Sequence, residues 1–157
     1  MQICILSDNR EMSIGLKRNK LMEMAVGDYI AFIDDDDEIG NDYFGQVLGG
    51  IEKEQPDVIG LMGVMRWQKS RTKVVNHRFF HTIKNARWWQ SSRGYERPPN
   101  HLNPIRRDVA IQFPFEDLNH GEDKDWSLRI AEAGVLKREV MVNQPIYYYN
   151  FNPFKNY

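Results

Sequence analysis

The apolar positions along the chain fall into runs whose spacing changes several times. Ile3, Cys4, Ile5 and Leu6 stand together and end in Ser7-Asp8-Asn9, so residues 2–7 are expected to form a buried strand closing in a turn. Ser13 is placed to cap a helix from Ile14 to Ala25, which Gly27 stops. Asp28 to Ile33 reads as a strand with Tyr29, Ile30, Phe32 and Ile33 as its apolar content, and it runs straight into Asp34-Asp35-Asp36-Asp37. Asn41 then caps an amphipathic helix with Tyr43, Phe44, Val47, Leu48 and Ile51 on one face, and Pro56-Asp57 leads into a strand from Val58 to Met62. Strand, helix, strand, helix, strand predicts an α/β fold with a parallel sheet and right-handed crossovers.

The pattern then changes. Val64-Met65-Arg66-Trp67 and Lys73-Val74-Val75 flank polar residues 68–72, which predicts an antiparallel excursion within 63–83. Residues 84–100, with Trp88, Trp89, Gly94, Pro98 and Pro99, read as a long loop, and loops of that length are commonly functional or mobile. A short helical turn is expected at 108–112, a helix at 123–133 ended by Gly134, and a late strand at 138–142. Residues 143–157 are expected to be a C-terminal tail, its Tyr147-Tyr148-Tyr149-Asn150-Phe151 packed on the domain. No internal repeat or linker divides the chain, so 1–157 is read as one domain.

Composition narrows the class. The chain has 157 residues, 41 % apolar and 27 % charged, which is ordinary for one globular domain with its own core. Its single cysteine, Cys4, allows neither an internal disulfide nor a thiolate zinc site, and reads as a small core residue. No apolar run approaches a membrane span and the N-terminus lacks signal-peptide features, so a cytoplasmic location is expected. The net charge of −1 conceals a segregation of charge. Asp28 to Asp57 holds ten acids and one base, Arg66 to Arg97 nine bases and one acid, and Glu116 to Glu132 six acids and two bases. One part of the chain suits cations and another anions, the plainer alternative being solvated faces on opposite sides. The basic stretch with Trp67, Trp88 and Trp89 has the makings of a nucleic-acid surface. The acidic elements would repel phosphates, however, and no nucleic-acid partner is expected.

Four aspartates in a row at the end of a strand repel one another, and nothing nearby in sequence neutralises them. Ligands of open α/β sheets bind at the carboxyl ends of strands, and oxygen ligands suit hard cations such as Mn²⁺ or Mg²⁺. A cation there would bridge nucleotide phosphates and offset charge on a leaving diphosphate. The plainer reading is an acidic turn capping the next helix. A second acidic element, Gly121-Glu122-Asp123-Lys124-Asp125-Trp126, opens the later helix, where backbone donors and the dipole by themselves favour carboxylates.

The run Ser13-Ile14-Gly15-Leu16-Lys17-Arg18-Asn19, followed by Ala25-Val26-Gly27-Asp28-Tyr29-Ile30-Ala31-Phe32-Ile33-Asp34-Asp35-Asp36-Asp37, resembles the central signature of family 2 glycosyltransferases. Glu122-Asp123, Trp126, Arg129 and Ala131-Glu132-Ala133-Gly134 resemble that family's second acidic element. The resemblance implies a GT-A (Rossmann-like) α/β three-layer sandwich with a mostly parallel central sheet and a small antiparallel excursion. It implies an inverting transfer from a nucleotide-diphosphate sugar, with a UDP-sugar favoured, to an acceptor hydroxyl on a glycan, lipid or protein. Asp36 would be the closer ligand of Mn²⁺ or Mg²⁺, with Asp34 also at the metal and facing the donor sugar or ribose. Asp8 would contact the base, Arg18 the nucleotide, and Asp35 lies in the same donor-binding turn. Asp123 would be the general base, since a carboxylate within reach of a hydroxyl suits that work. Glu122, Asp125, Trp126 and His101 are the candidate acceptor contacts, with Glu122 orienting the acceptor or the loop and His101 an alternative third metal ligand.

Several readings stay open beside these. Trp88, Trp89, Tyr95 and Trp126 suit a sugar-stacking platform or, as aromatic residues more often do, core and loop anchoring. Arg106-Arg107 and the basic segment suit diphosphate or an anionic acceptor; His120, immediately before the second acidic element, is a candidate of the same kind as His101, though a lone histidine is more often neither acceptor contact nor metal ligand. Family members begin with a further strand-helix unit ahead of the position of Ile3, so the domain is expected to be N-terminally incomplete, with an open sheet edge suited to self-association. The alternatives to an active transferase are an inactive or partner-completed remnant that binds sugars or proteins, and another metal-dependent enzyme sharing only the carboxylates.

Overall fold

Ser13 opens the first helix as its hydroxyl suggests, accepting a hydrogen bond from the Leu16 N–H, and α1 runs Ile14–Met24 in the computed structural model, which describes residues 1–154. The helix ends three residues before Gly27, with the Ala25 N–H closing onto the Leu21 and Met22 carbonyls. The chain continues through β1 (Tyr29–Ile30), β2 (Glu38–Ile39), α2 (Tyr43–Glu54), β3 (Val58–Ser70) and β4 (Lys73–His81). It then forms β5 (Trp89–Ser91), β6 (Gly94–Arg97), β7 (Ile105–Arg106), α3 (Arg107–Ala110), α4 (Glu122–Ala133) and β8 (Glu139–Phe151).

The strands make one mixed sheet in the order β1-β7-β3-β4-β6-β5, with β8 beside β3 and β2 beyond β8. β3 pairs with β8 and β4 with β6 in parallel; the other pairings are antiparallel. Val58 and Ile59, adjacent on β3, point to opposite faces and enter separate cores. On one face Val58 and Ile105 meet Met22 of α1, Ala110 of α3 and Trp126 and Ile130 of α4. On the other, Ile59, Leu61 and Val142 meet Tyr43 and Val47 of α2. Helices therefore flank the sheet on both sides, as a three-layer sandwich requires.

The structure departs from the expected parallel predominance for identifiable reasons. The excursion after β3 is a long hairpin, with Leu61 to Ser70 paired along β4. Residues 2–7 form no strand, and Ile3 and Ile5 stand 71 % and 81 % exposed. Of the strand expected at 28–33 only β1 is paired, although the Phe32 N–H still reaches the His101 carbonyl at 3.0 Å. Asp42, not Asn41, is the N-cap of α2, and Phe44 and Leu48, expected on its buried face, are exposed. The 84–100 loop contains β5 and β6. Residues 143–151, expected as the start of a tail, are the second half of β8, and the last three residues of that tail lie outside the described residues.

Candidate active site

The four consecutive aspartates have four different surroundings. β2 pairs with β8 immediately after them, Glu38 opposite Tyr148 and Ile39 opposite Tyr147, and this brings β8 against the acidic turn. The Tyr147 hydroxyl donates to Asp37 Oδ2 at 2.8 Å, the Asn150 N–H to Asp37 Oδ1 at 2.8 Å, and Asn150 Nδ2 to the Asp36 carbonyl at 2.7 Å. Burial pushes the Asp37 carboxyl up to about 6 against those hydrogen bonds. Burial, together with Asp37, raises the Tyr147 phenol. Asp35 is exposed and Asp36 half-buried.

Asp34 turns the other way. Arg18, on α1 and only 6 % exposed, donates from Nη2 to Asp34 Oδ1 at 3.0 Å and Oδ2 at 3.2 Å. Its Nη1 donates to Glu122 at the start of α4, and its guanidinium lies 5.6 Å from the Phe115 ring centre. His101, 5 % exposed, places Nε2 3.3 Å from Asp34 Oδ2 and Nδ1 3.8 Å from Asp123 Oδ2. Nδ1 is buried without a hydrogen-bond partner. Burial alone would raise the Asp34 carboxyl, but His101 and the Arg18 guanidinium outweigh it and hold it well below the usual carboxylate range. Burial likewise opposes the charge on Arg18, and Asp34 and Glu122 overcome it, so its pKa is raised. One buried arginine and one buried histidine thus join the two acidic elements.

Local sequence sets this up. Asn19 Nδ2 donates to the Phe115 carbonyl and Asn19 Oδ1 accepts from the Phe115 N–H, each at 2.8 Å. The two halves of Arg18-Asn19 therefore have separate roles: Arg18 gathers carboxylates and Asn19 anchors the segment leading to α4. Gly15 permits the same docking, because its N–H meets the Leu118 carbonyl at 3.1 Å and an added Cβ would lie 1.8 Å from the Glu116 carbonyl oxygen. Gly15→Ala is expected to cost about 1–3 kcal/mol by forcing these backbones apart. A urea midpoint equal to that of the parent would show that α1 does not dock this tightly.

Other expected residues fall elsewhere. Asp8 is ion-paired to Lys17 at 2.7 Å and accepts from the Met12 N–H, and these bonds hold its carboxyl down at about 2. Asp8 makes none of the contacts of the Asp34 cluster. Asp125 pairs with Arg129 on its own helix at 2.7 Å. Trp126, a candidate acceptor contact and sugar-stacking residue, is corrected to core: it is 1 % exposed, stacks on Phe115 at 4.7 Å, and donates to the Phe113 carbonyl. Its spacing to buried Ile130 puts both on one helical stripe. Arg106 is paired with Asp108 and Asp57, and Arg107 donates to the Ala25 carbonyl, so neither belongs to the cluster. Trp88 donates to Ser127 at 2.9 Å, and Trp89 faces solvent with its N–H 3.4 Å from Asn85. The β8 clamp of Tyr147 and Asn150 was missed by the sequence reading, because nothing local marks a strand residue as reaching a distant turn.

The described residues contain no cluster of three His, Cys, Asp or Glu side chains that would cage a metal ion. Both Asp34 oxygens, expected at the metal, are engaged by Arg18, and one by His101. A cation carried by one or two carboxylates and completed by substrate phosphates needs no such cage.

Helices on both faces of a mixed sheet, with an aspartate turn facing a second carboxylate pair, are the architecture of the GT-A glycosyltransferases. The model of glycosyl transferase family 2 matches residues 2–116, and the chain belongs to that family, carrying its glycosyltransferase domain. Among solved structures, S. aureus TarS 1-349 superposes with a TM-score of 0.59 at 17 % identity, over 88 % of this chain and 40 % of that one, a likeness of fold. No curated protein matches the sequence. The family match ends before Glu122, so the role of the second acidic element rests on the geometry around Arg18 and His101.

Proposed function

We infer that the domain transfers a sugar from a nucleotide-diphosphate donor, with UDP favoured, to an acceptor hydroxyl with inversion. The observation that carries this is the Arg18–Asp34–His101–Asp123 chain of contacts, which sets the family's aspartate turn beside a half-buried carboxylate outside the matched region. Asp123 accepts the acceptor proton as its oxygen attacks the anomeric carbon. The new glycosidic bond forms as the bond to the diphosphate breaks, and the nucleoside diphosphate leaves. Glu122 acts through Arg18 by holding its guanidinium on Asp34, and so positions the donor turn. Asp36 would hold Mn²⁺ or Mg²⁺, which when bound supplies positive charge to the leaving phosphates. Among the described residues no helix is long and apolar enough to cross a membrane.

Incubation with UDP- and GDP-sugars in Mn²⁺, with water or added sugars as acceptor, should release one nucleoside diphosphate. Chelation should stop the release, and Asp36→Asn should slow it by about tenfold or more, the scale on which disturbing a metal's coordination lowers activity. No release from either donor would favour the sugar- or protein-binding remnant instead.

A further inference from the structure

Beyond α2, the sheet face bearing Ile59 and Leu61 continues through Gly63, Met65 and Trp67. Directly paired residues share a face, so Tyr147, Tyr149 and Phe151 of β8 lie beside these three, and Phe79 and then Tyr95 lie on their other side. Gly63 carries no side chain, and the Phe79 ring occupies its place: a Cβ there would come within 2.1 Å of the ring. The result is an aromatic groove of about 220 Å³ lined by Met65, Trp67, Tyr95, Arg97, Tyr149 and Phe151. Trp67 and Tyr149 each lie within 6.3 Å of Phe151, ring centre to ring centre.

Two polar groups in this lining lack partners. The buried Trp67 N–H has no acceptor. The Arg97 side chain makes no hydrogen bond or ion pair among the described residues, although its carbonyl accepts from the Thr82 N–H and Asn85 Nδ2; the guanidinium lies 4.0 Å from the Trp88 ring centre and 5.8 Å from that of Tyr95. Burial lowers the pKa of Arg97, and the attraction of Asp123 only partly opposes this. A half-buried guanidinium with no anion beside it among the described residues suits one, and its planar fork matches a carboxylate or phosphate. Trp88 in turn is fixed to Ser127 of α4, the helix whose first turn carries Asp123. Arg97 thus stands between the groove and α4, near enough to Asp123 to feel its charge. At about 220 Å³ it is below the roughly 300–1,000 Å³ of sites that enclose larger ligands, and holds one ring rather than a nucleotide sugar.

We propose that this groove is the acceptor site and takes a single sugar ring bearing a carboxylate or phosphate, the ring against Trp67, Tyr149 and Phe151 and the anion on Arg97. The assignment of the occupant as acceptor rests on the transferase reading; the binding itself does not. The apolar face of a pyranose covers an aromatic surface of this kind.

The test is saturation-transfer NMR of glucose, glucuronate and glucose 6-phosphate with the 157-residue protein, without donor. Both acidic sugars should bind about tenfold more tightly than glucose, the scale of a charged hydrogen bond. Arg97→Met should erase that preference while leaving glucose binding, Arg97→Lys should keep part of it, and Trp67→Ala should weaken all three. Which acid binds more tightly distinguishes carboxylate from phosphate recognition. Equal affinities for the three sugars, a preference that survives Arg97→Met, or displacement of the acidic sugars by UDP with Mn²⁺ would overturn the proposal. Lost sugar preference beside intact nucleotide binding sinks the groove alone; acidic-sugar binding without nucleotide binding sinks the donor reading alone.

Discussion

Arg18→Ala is expected to cost the fold about 3–5 kcal/mol, a large share of an ordinary domain's stability. The guanidinium is 6 % exposed and is hydrogen-bonded to both Asp34 and Glu122. Its removal leaves the buried Glu122 carboxylate without its cation and Asp34 with His101 alone. The urea midpoint should fall accordingly, and Arg18→Lys should restore little, because one ammonium cannot span two carboxylates as the fork does. Adding Glu122→Gln to Arg18→Ala should recover part of the loss, since the orphaned charge is then gone. A loss below about 1 kcal/mol would place this arginine among ordinary surface pairs and remove the link between the acidic elements.

The second large effect concerns chemistry. Asp123→Asn should lower donor turnover by roughly 10²–10⁴-fold, the usual contribution of a positioned acid or base. Nucleotide affinity should stay within about twofold, because among the described residues Asp123 makes no hydrogen bond to the donor turn and meets it through His101. Asparagine has nearly the shape of aspartate, so the change removes the proton acceptor and little else. Asp125→Asn is the control: that carboxylate is spent on Arg129, and turnover should remain near the parent rate. Parent-rate turnover in Asp123→Asn would transfer the role of base to another group, with Asp125 the first to examine if its own variant is slow.

The helices were legible because their ends carry local chemistry. Ser13 caps α1 through its own hydroxyl, and Gly134 ends α4 at a φ of 60° that glycine tolerates best. The strands were less legible because a strand is defined by its neighbour. Residues 2–7 have the composition of a strand, yet Ile3 and Ile5 face solvent and pair with nothing among the described residues. β8 read as a short strand and a tail, yet it runs unbroken from Glu139 to Phe151: the register against β3 shifts around Pro145, which still pairs with Met62, and pairing continues through Tyr147. The hairpin of β5 and β6 was hidden in a stretch rich in tryptophan and proline. At the site, residue types suggested carboxylate chemistry and the family resemblance picked out Arg18, Asp34 and Asp123. Their connection is tertiary: it depends on Asn19 and Gly15 docking α1 against 115–118, and on His101 arriving from a loop with no pattern of its own. Trp126 shows the opposite failure, where proximity to a carboxylate pair outweighed a four-residue spacing to Ile130 that marks it as core.

The most direct measurement is a calorimetric titration of UDP and GDP into the 157-residue protein, with and without Mn²⁺. Saturable binding of one nucleotide that requires Mn²⁺ and is lost in Asp36→Asn is the predicted result. If neither nucleotide binds while Mn²⁺ is present, the turn at Asp34–Asp37 is not a donor site in this chain.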